Sequence, residues 1–147
     1  MSGETILKLG TPKTLEANGA SIANNTLAQA DDASYSVSAD GAYYPDAKFV
    51  LAATFGTAPT EGTTLALYAQ PLDIDGTNDA EAPETTRPTV FIGTFAVNNV
   101  TTAQYAELIV QDVPWNASYY LHNNGTGQTL SAGWTLKVTP CTVAPAA

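Results

Sequence analysis

Apolar and polar residues alternate along several short segments of this chain, with the period of two that β-strands require. The clearest of these segments spans residues 46–55. One of its faces carries Ala47, Phe49, Leu51, Ala53 and Phe55. The opposite face is also largely apolar, apart from Lys48 and Thr54, and it includes Val50. A strand with two apolar faces is either central in a sandwich or covered by a neighbouring subunit, so Val50 is a candidate interface residue.

The same alternation predicts further strands between turn signals. They span residues 63–70, 89–97, 104–113, 118–122 and 134–139. The shared apolar faces include Phe91, Phe95 and Val97 in one strand, and Trp134, Leu136 and Val138 in another. Residues 101–108 could form two helical turns instead, but the β-branched and apolar residues after them favour a strand. Short strands at regular spacing predict a single all-β domain, a β-sandwich.

The N-terminal segment departs from this pattern. Residues 1–16 contain Ile6, Leu7 and Leu9, but a glycine and a proline follow and break any long regular element. We expect an extended N-terminal arm or a first strand here. An arm could add a strand to the sheet of a neighbouring subunit, which makes these three side chains candidate interface residues.

The rest of the chain is read as one domain. We expect the β-sandwich over residues 17–142 and a frayed tail over residues 143–147. At the start of this domain Asn18 and Gly19 lie between two short apolar runs. This pair predicts a two-residue type I′ hairpin turn.

Charge narrows the possible partners. The 147 residues include 14 acidic and 5 basic side chains, a formal net charge of −9. Binding to DNA, RNA or anionic lipid is therefore not expected. No stretch approaches 18 apolar residues, and the first four residues lack the basic start of a signal peptide. We therefore expect no membrane contact and no export signal.

Catalytic chemistry finds little support in the sequence. His122 and Cys141 are the single histidine and the single cysteine, so a triad would need His122 as its base. A strand-end histidine bonded to a carbonyl and a small buried cysteine are the simpler interpretations. Glu107 and Asp112 lie at odd spacing on a predicted strand, so they would face opposite sides and not form a carboxylate pair. We expect no enzymatic activity and no cofactor.

The acidic loop at residues 73–84 has some features of a calcium loop. Several of its side chains offer the oxygen ligands that calcium prefers. An EF-hand places glycine at position six and glutamate at position twelve. Counted from Asp73, Gly76 is fourth and Glu84 is twelfth. The favoured interpretation is a solvated acidic loop, and calcium binding stays open.

Aromatic residues offer a second kind of candidate site. The aromatic residues that could stack on sugar rings are Tyr43, Tyr44, Tyr68, Trp115, Tyr119, Tyr120 and Trp134. Most aromatic side chains of a β-sandwich lie in its core or at subunit interfaces. We therefore expect Trp115, Tyr119 and Tyr120 at an interface with another subunit or with another protein. The alternative is a carbohydrate site, since aromatic rings can stack on sugar rings.

Several sequence phrases point to a family. They are Ser21-Ile22-Ala23-Asn24-Asn25, Tyr44-Pro45-Asp46-Ala47, Pro71-Leu72-Asp73-Ile74-Asp75-Gly76, Arg87-Pro88-Thr89, Tyr120-Leu121-His122-Asn123-Asn124 and Ser131-Ala132-Gly133-Trp134-Thr135-Leu136-Lys137-Val138-Thr139-Pro140. With these phrases, residues 4–140 resemble small virion structural proteins of tailed bacteriophages.

The resemblance implies a β-sandwich of the jelly-roll kind and a role as a capsid decoration or cement protein. It implies the major capsid protein as partner, a homo-oligomer, most simply a trimer, and a place on the capsid exterior after synthesis in the cytoplasm of the bacterial host. A tail- or fibre-associated protein, or a carbohydrate-binding module displayed on the virion, is the alternative. The family has no catalytic motif, so the resemblance assigns no active-site residue.

Overall fold

The computed structural model describes residues 3–38, 43–87 and 90–145, and these ranges form nine β-strands. The strands are β1 (Thr5–Leu9), β2 (Lys13–Gly19), β3 (Leu27–Ser36), β4 (Asp46–Ala53), β5 (Thr64–Pro71), β6 (Val90–Ala96), β7 (Gln104–Val110), β8 (Asn116–Asn124) and β9 (Trp134–Pro145). The predicted all-β sandwich is confirmed. Within the described ranges no helix is both long and apolar enough to cross a membrane.

The strands form two antiparallel sheets with jelly-roll connectivity. In the first sheet β1 and β2 both pair with one edge of β9, and β4 and β7 follow on its other side. The second sheet has the order β3-β8-β5-β6. The pairs β2–β9, β3–β8, β4–β7 and β5–β6 are the successive rungs of one long hairpin, whose tip is the loop between β5 and β6. Winding this hairpin brings β9 beside β4 and β8 beside β5, which is the jelly roll.

The core lies between the two sheets, where the inward faces meet. The predicted inward face of residues 46–55 is confirmed, because its five apolar residues, four in β4 and Phe55 just after it, are all buried. The predicted face of β9 is confirmed in the same way by Trp134, Leu136 and Val138. Contact between the sheets is direct: the rings of Phe49 and Tyr119 have centroids 4.9 Å apart.

The N-terminal segment forms two strands on the chain's own first sheet. Residues 5–9 pair with the end of β9, and all five side chains of β1 are exposed. Residues 13–16 belong to the sandwich, since Leu15 is fully buried in its core. Met1 and Ser2 lie outside the described residues. Of the two sequence expectations, an arm or a first strand, residues 5–9 form an exposed strand at the edge of the sheet. Residues 13–16 begin the first strand that contributes to the core.

The C-terminal strand is longer than expected. Residues 134–138 of β9 pair with β2 and residues 135–141 pair with β4, whereas residues 142–145 pair with β1 alone. Residues 143–145, expected to be frayed, are therefore part of a strand, because β1 supplies their hydrogen-bonding partners. Residues 146–147 lie outside the described residues.

The predicted hairpin at Asn18 and Gly19 is wrong. β2 runs through both residues and pairs with β9, and the next strand in the chain belongs to the other sheet. Glycine at position 19 allows the Trp134 ring to pack closely against the backbone, and it does not form a turn. A Cβ atom placed there would lie 2.0 Å from Cε2 of Trp134.

Two register shifts between paired strands explain the remaining differences between the predicted and the observed strands. β3 was not predicted, because a register shift between Ala30 and Tyr35 breaks its alternation. A second shift in the β5–β6 pair turns Phe91 outward, where it is 58% exposed, while Phe95 stays buried. The expectation that these two phenylalanines share a face is therefore wrong. Residues 104–110 form a strand, as preferred over the helical alternative.

Candidate functional site

Exposed large apolar side chains concentrate at one end of the sandwich. This end, called the open end, is where β4 and β8 begin and where β3, β5 and β7 stop. Among the described residues, seven of the eleven exposed large apolar side chains lie there: Ile6, Leu7, Leu9, Tyr43, Ile74, Trp115 and Val143. They lie on or next to two features, a β-ribbon and a tryptophan-bearing ridge.

The ribbon consists of residues 5–8 of β1 and residues 142–145 of β9. It extends past the sandwich, because the first residue of β4, Asp46, is already opposite Cys141. Leu7 is 65% exposed, and its pairing partner Val143 is 63% exposed. In the described part of the chain the other edge of β1 has no strand partner. A two-stranded ribbon is marginally stable by itself in water, and a free apolar edge is a template for pairing.

The ridge consists of Pro114, Trp115 and Asn116, just before and at the start of β8. The carbonyl of Trp115 accepts a hydrogen bond of 2.9 Å from the Val37 amide. The carbonyl of Asn116 accepts one of 2.9 Å from the Leu72 amide. The backbone is therefore held from both neighbouring loops, while the indole ring is 77% exposed.

Two clefts flank the Trp115 ring. One has a volume of about 400 Å³ and lies between the ridge and residues 71–74. The other, of about 360 Å³, lies between the ridge and residues 36–38 with Tyr43. Asn116 lines both clefts, and its Nδ2 donates a hydrogen bond of 3.1 Å to Oδ2 of Asp73. Each cleft thus combines an aromatic wall with polar groups.

The predicted interface residues are distributed over different environments. Trp115 is at the surface, as are Ile6, Leu7 and Leu9. Tyr119 is fully buried between the sheets, because period two turns it inward, and burial, with a smaller contribution from Tyr35, raises the pKa of its hydroxyl. It cannot contribute to a surface in this fold.

Tyr120 and Val50 face outward, but neither is freely exposed. Tyr120 retains 8% exposure, and its hydroxyl donates a hydrogen bond of 3.1 Å to Oε1 of Gln70. Val50 is half-buried on the outer face of the first sheet, opposite Glu107 on one side and Lys137 on the other. Only Trp115 of the three predicted aromatic residues is therefore available to a ligand.

The groups that could carry catalysis lie apart. His122 is on the second sheet and Cys141 on the first. Desolvation lowers the pKa of His122, although a backbone hydrogen bond with Asn25 partly opposes it. Burial raises the pKa of the Cys141 thiol, and the nearby Asp46 adds to the effect, which disfavours the nucleophilic thiolate. Glu107 forms an ion pair of 3.0 Å with Lys48.

The acidic loop is organised around Asp75. Its carboxylate accepts hydrogen bonds from the amides of Thr77 and Asn78, at 3.0 and 2.8 Å, and from both side chains. These donors, with the Asn78 side chain foremost, lower the pKa of Asp75 to about 2. The arrangement is an Asx turn. These four donors would compete with a calcium ion for the Asp75 oxygens.

A different acidic group joins β2 to β3. Carboxylate oxygens of Glu16, Asp31 and Asp32 lie within 4.8 Å of one another. Glu16 is buried and accepts hydrogen bonds from the amides of Asn18 and Asp31, at 2.9 and 3.2 Å. Asp32 accepts one of 2.6 Å from the amide of Ala17. These carboxylates satisfy backbone groups where β2 bulges away from β9.

Comparisons with protein-family models, with curated proteins and with solved structures give no match for this chain. Jelly rolls occur in viral capsid proteins, lectins and cupins. Because such a fold hosts many functions, the surfaces and not the topology must decide what the protein does.

Proposed function

We propose that this protein is a non-enzymatic structural protein of a bacteriophage virion, a decoration or cement protein that binds the outer face of the capsid and stabilises it. The observation that carries the proposal is the β1–β9 ribbon. Its β1 strand exposes every side chain, three of them large and apolar, beside an edge without a strand partner in the described residues. Such a surface is stabilised by contact with another protein.

The ribbon supports strand addition as the mode of attachment. The free edge of β1 would supply main-chain hydrogen bonds to an extended segment of the major capsid protein. Leu7 and Leu9 point to one side of the strand and Ile6 to the other, so they would fix the register of the added strand. Affinity would come from the backbone, and specificity from the three side chains.

The charge of the chain supports a role at high copy number on a particle surface. A net charge of −9 makes copies repel one another in solution and limits unwanted association. Attachment then depends on a local apolar feature, and the ribbon is such a feature. The capsid exterior is accordingly the proposed location.

The outer face of the first sheet supports a trimer. Val50 and Ala52 lie on this face, and Tyr105, opposite Ala52, is 77% exposed. Ile109, further along β7 and opposite Lys48, is 69% exposed. A cement protein that joins three capsomers would use this face between copies, around a three-fold axis. Sedimentation analysis should give a trimer, in solution or after release from shells; monomers in both cases would contradict it.

Binding to purified shells tests the attachment. Leu7→Asp places a charge on the ribbon, and we expect it to abolish co-sedimentation with shells. Val100→Asp is the matched control, since Val100 is 40% exposed at the opposite end of the sandwich. Shell binding by Leu7→Asp at the level of the control would overturn attachment through the ribbon.

Stabilisation of the shell is tested separately. A protein that binds only the assembled shell raises its disruption temperature by mass action. Shells saturated with wild-type protein should therefore break at a higher temperature than bare shells. Equal resistance would reduce the function to decoration without cementing, and electron cryomicroscopy that located the protein on the tail would favour the tail-associated alternative.

A further inference from the structure

We infer that the Trp115 ridge is a binding site for neutral glycans, with one sugar ring stacked on the indole and its neighbours in the flanking clefts. The inference goes beyond the proposed attachment to a shell and uses different residues. The Trp115 side chain is exposed, but the backbone that carries it is held in place. The indole is 77% exposed, whereas the backbone on both sides is held by hydrogen bonds from residues 37 and 72.

The ring offers a fixed stacking surface. An aromatic face carries negative partial charge, and the C–H bonds on one face of a pyranose ring carry positive partial charge. A tryptophan fixed at its backbone presents this surface with only its own two side-chain torsions to restrict. The entropic cost of binding is therefore small compared with that of a mobile loop.

Polar groups stand at the foot of the ring on both sides. In the first cleft, the carboxylate of Asp73 and the amide of Asn116 are already joined by a hydrogen bond of 3.1 Å. In the second cleft, Ser36 and Ser38 place their hydroxyl oxygens 3.1 Å apart, and Asn116 is again part of the wall. A carboxylate beside an amide matches neighbouring sugar hydroxyls, each of which both donates and accepts.

The dimensions agree with sugar units. Clefts of about 400 and 360 Å³ lie at the small end of the range for small-molecule sites. Because the ridge separates them, a chain of sugars would cross Trp115 and place one unit on each side. Tyr43, 60% exposed at the second cleft, extends the aromatic surface along the same path.

The charges select neutral ligands. The described residues that line the two clefts include Asp73 but no lysine or arginine. With a net charge of −9 on the chain, phosphorylated, sulfated or uronic-acid glycans would be repelled. An extended peptide is also disfavoured, because β8 beneath the ridge is paired on both sides, by β3 and by β5, and offers no free edge.

The test compares wild-type protein with two variants on an array of neutral and acidic glycans. Trp115→Ala removes the stacking surface, and Phe91→Ala is the matched control, since Phe91 is also an exposed aromatic residue, at 58%, but lines neither cleft. We expect neutral glycans to retain wild-type protein and the Phe91 variant. Trp115→Ala should bind them at least about tenfold more weakly, since stacking on one aromatic ring contributes on that order.

Calorimetry with the best-retained neutral oligosaccharide gives the ratio of dissociation constants. Melting temperatures of all three proteins should agree, because both rings are largely outside the core. The inference is overturned if no neutral glycan retains wild-type protein above Trp115→Ala, or if acidic glycans are preferred. The Leu7→Asp variant should bind glycans normally, so failure of shell attachment and failure of glycan binding are distinguishable.

Discussion

The two ends of the sandwich differ in whether their side chains are buried and hydrogen-bonded or exposed to solvent. At the closed end, where β8 stops and β9 begins, polar groups are buried and bonded to one another. Asn123 is fully buried there, and its Nδ2 donates to the carbonyls of Ile22 and Gln128, at 3.0 and 2.7 Å. At the open end, the ribbon and the Trp115 ridge leave apolar side chains in solvent.

This difference separates the residues that stabilise the fold from those that are available to bind another molecule. The buried polar side chains at the closed end have their hydrogen-bonding partners within the chain, so substitutions of these residues should act on folding. The large apolar side chains of the ribbon and of Trp115 at the open end are mostly exposed, so substitutions of these residues should act on binding. Each prediction below would fail if this division were wrong.

The largest effect is expected from Asn123→Ala. Besides its two donated bonds, the Asn123 side chain accepts a hydrogen bond of 2.6 Å from the Thr126 hydroxyl. The variant would leave several buried polar groups without their partner, and we expect a loss of about 4 kcal/mol in the free energy of unfolding. Urea denaturation measures it. Asn124→Ala, one position along and exposed, is the control and should change little.

Gly19→Ala should come next, with a loss of about 3 kcal/mol in the free energy of unfolding. The new methyl group would overlap the Trp134 ring, which cannot easily withdraw because its Nε1 donates a hydrogen bond of 2.8 Å to the Ala20 carbonyl. Gly56→Ala is the matched control, since the nearest atom to its Cβ is 3.9 Å away. Similar melting temperatures for the two variants would contradict this packing argument.

Deletion of residues 1–9 tests the open end. All five side chains of β1 are exposed, so the sandwich should lose no more than about 1 kcal/mol. Shell binding should be lost at the same time. Circular dichroism melting of the isolated truncated protein decides the first point, and a collapse of its melting temperature would mean that the ribbon belongs to the folding unit.

Regular strands could be predicted from the sequence with their buried faces, whereas an irregular strand was either missed, as β3 was, or given one wrong side chain, as β6 was. β4 and the first half of β9 alternate without interruption, so their buried faces were identified residue by residue. Asp31 and Asp32 lie in the register shift of β3. Two consecutive charged residues interrupt the alternation of apolar and polar positions, so the sequence pattern does not predict this strand. The shift near Phe91 reverses one side chain for the same reason, since a bulge adds a residue without leaving a compositional mark.

The candidate site could be predicted only in part. Trp115 follows a proline before a strand, which favours an exposed loop position. The pairing of Asp73 with Asn116 spans 43 positions and arises from the winding of the hairpin, so no local spacing reveals it. Because side chains alternate along a strand, Tyr119 and Tyr120 must face opposite sides of the sheet. The sequence does not reveal that Gln70, on the neighbouring strand β5, covers the outward-facing Tyr120.

The smallest effect concerns His122, which lies beside Asn123 near the closed end. Its Nε2 is buried without a hydrogen-bond partner among the described residues, and its ring lies 6.0 Å from that of Tyr68. Desolvation lowers its pKa in the folded state below the usual 6.5. The folded state therefore resists protonation more than the unfolded state does.

The sign of the pH dependence follows from this difference in pKa. The contribution of neutral His122 to stability is fully present above pH 6.5 and is lost as the pH falls through 6.5 towards the lower folded pKa. Asp75, with its pKa of about 2, titrates well below this window. Melting temperatures of wild-type protein should thus fall between about pH 7.5 and 5.5, and those of His122→Gln should fall less. Parallel pH profiles for the two proteins would mean that His122 can be protonated in place, and that the region next to the closed end admits water more readily than its buried hydrogen bonds indicate.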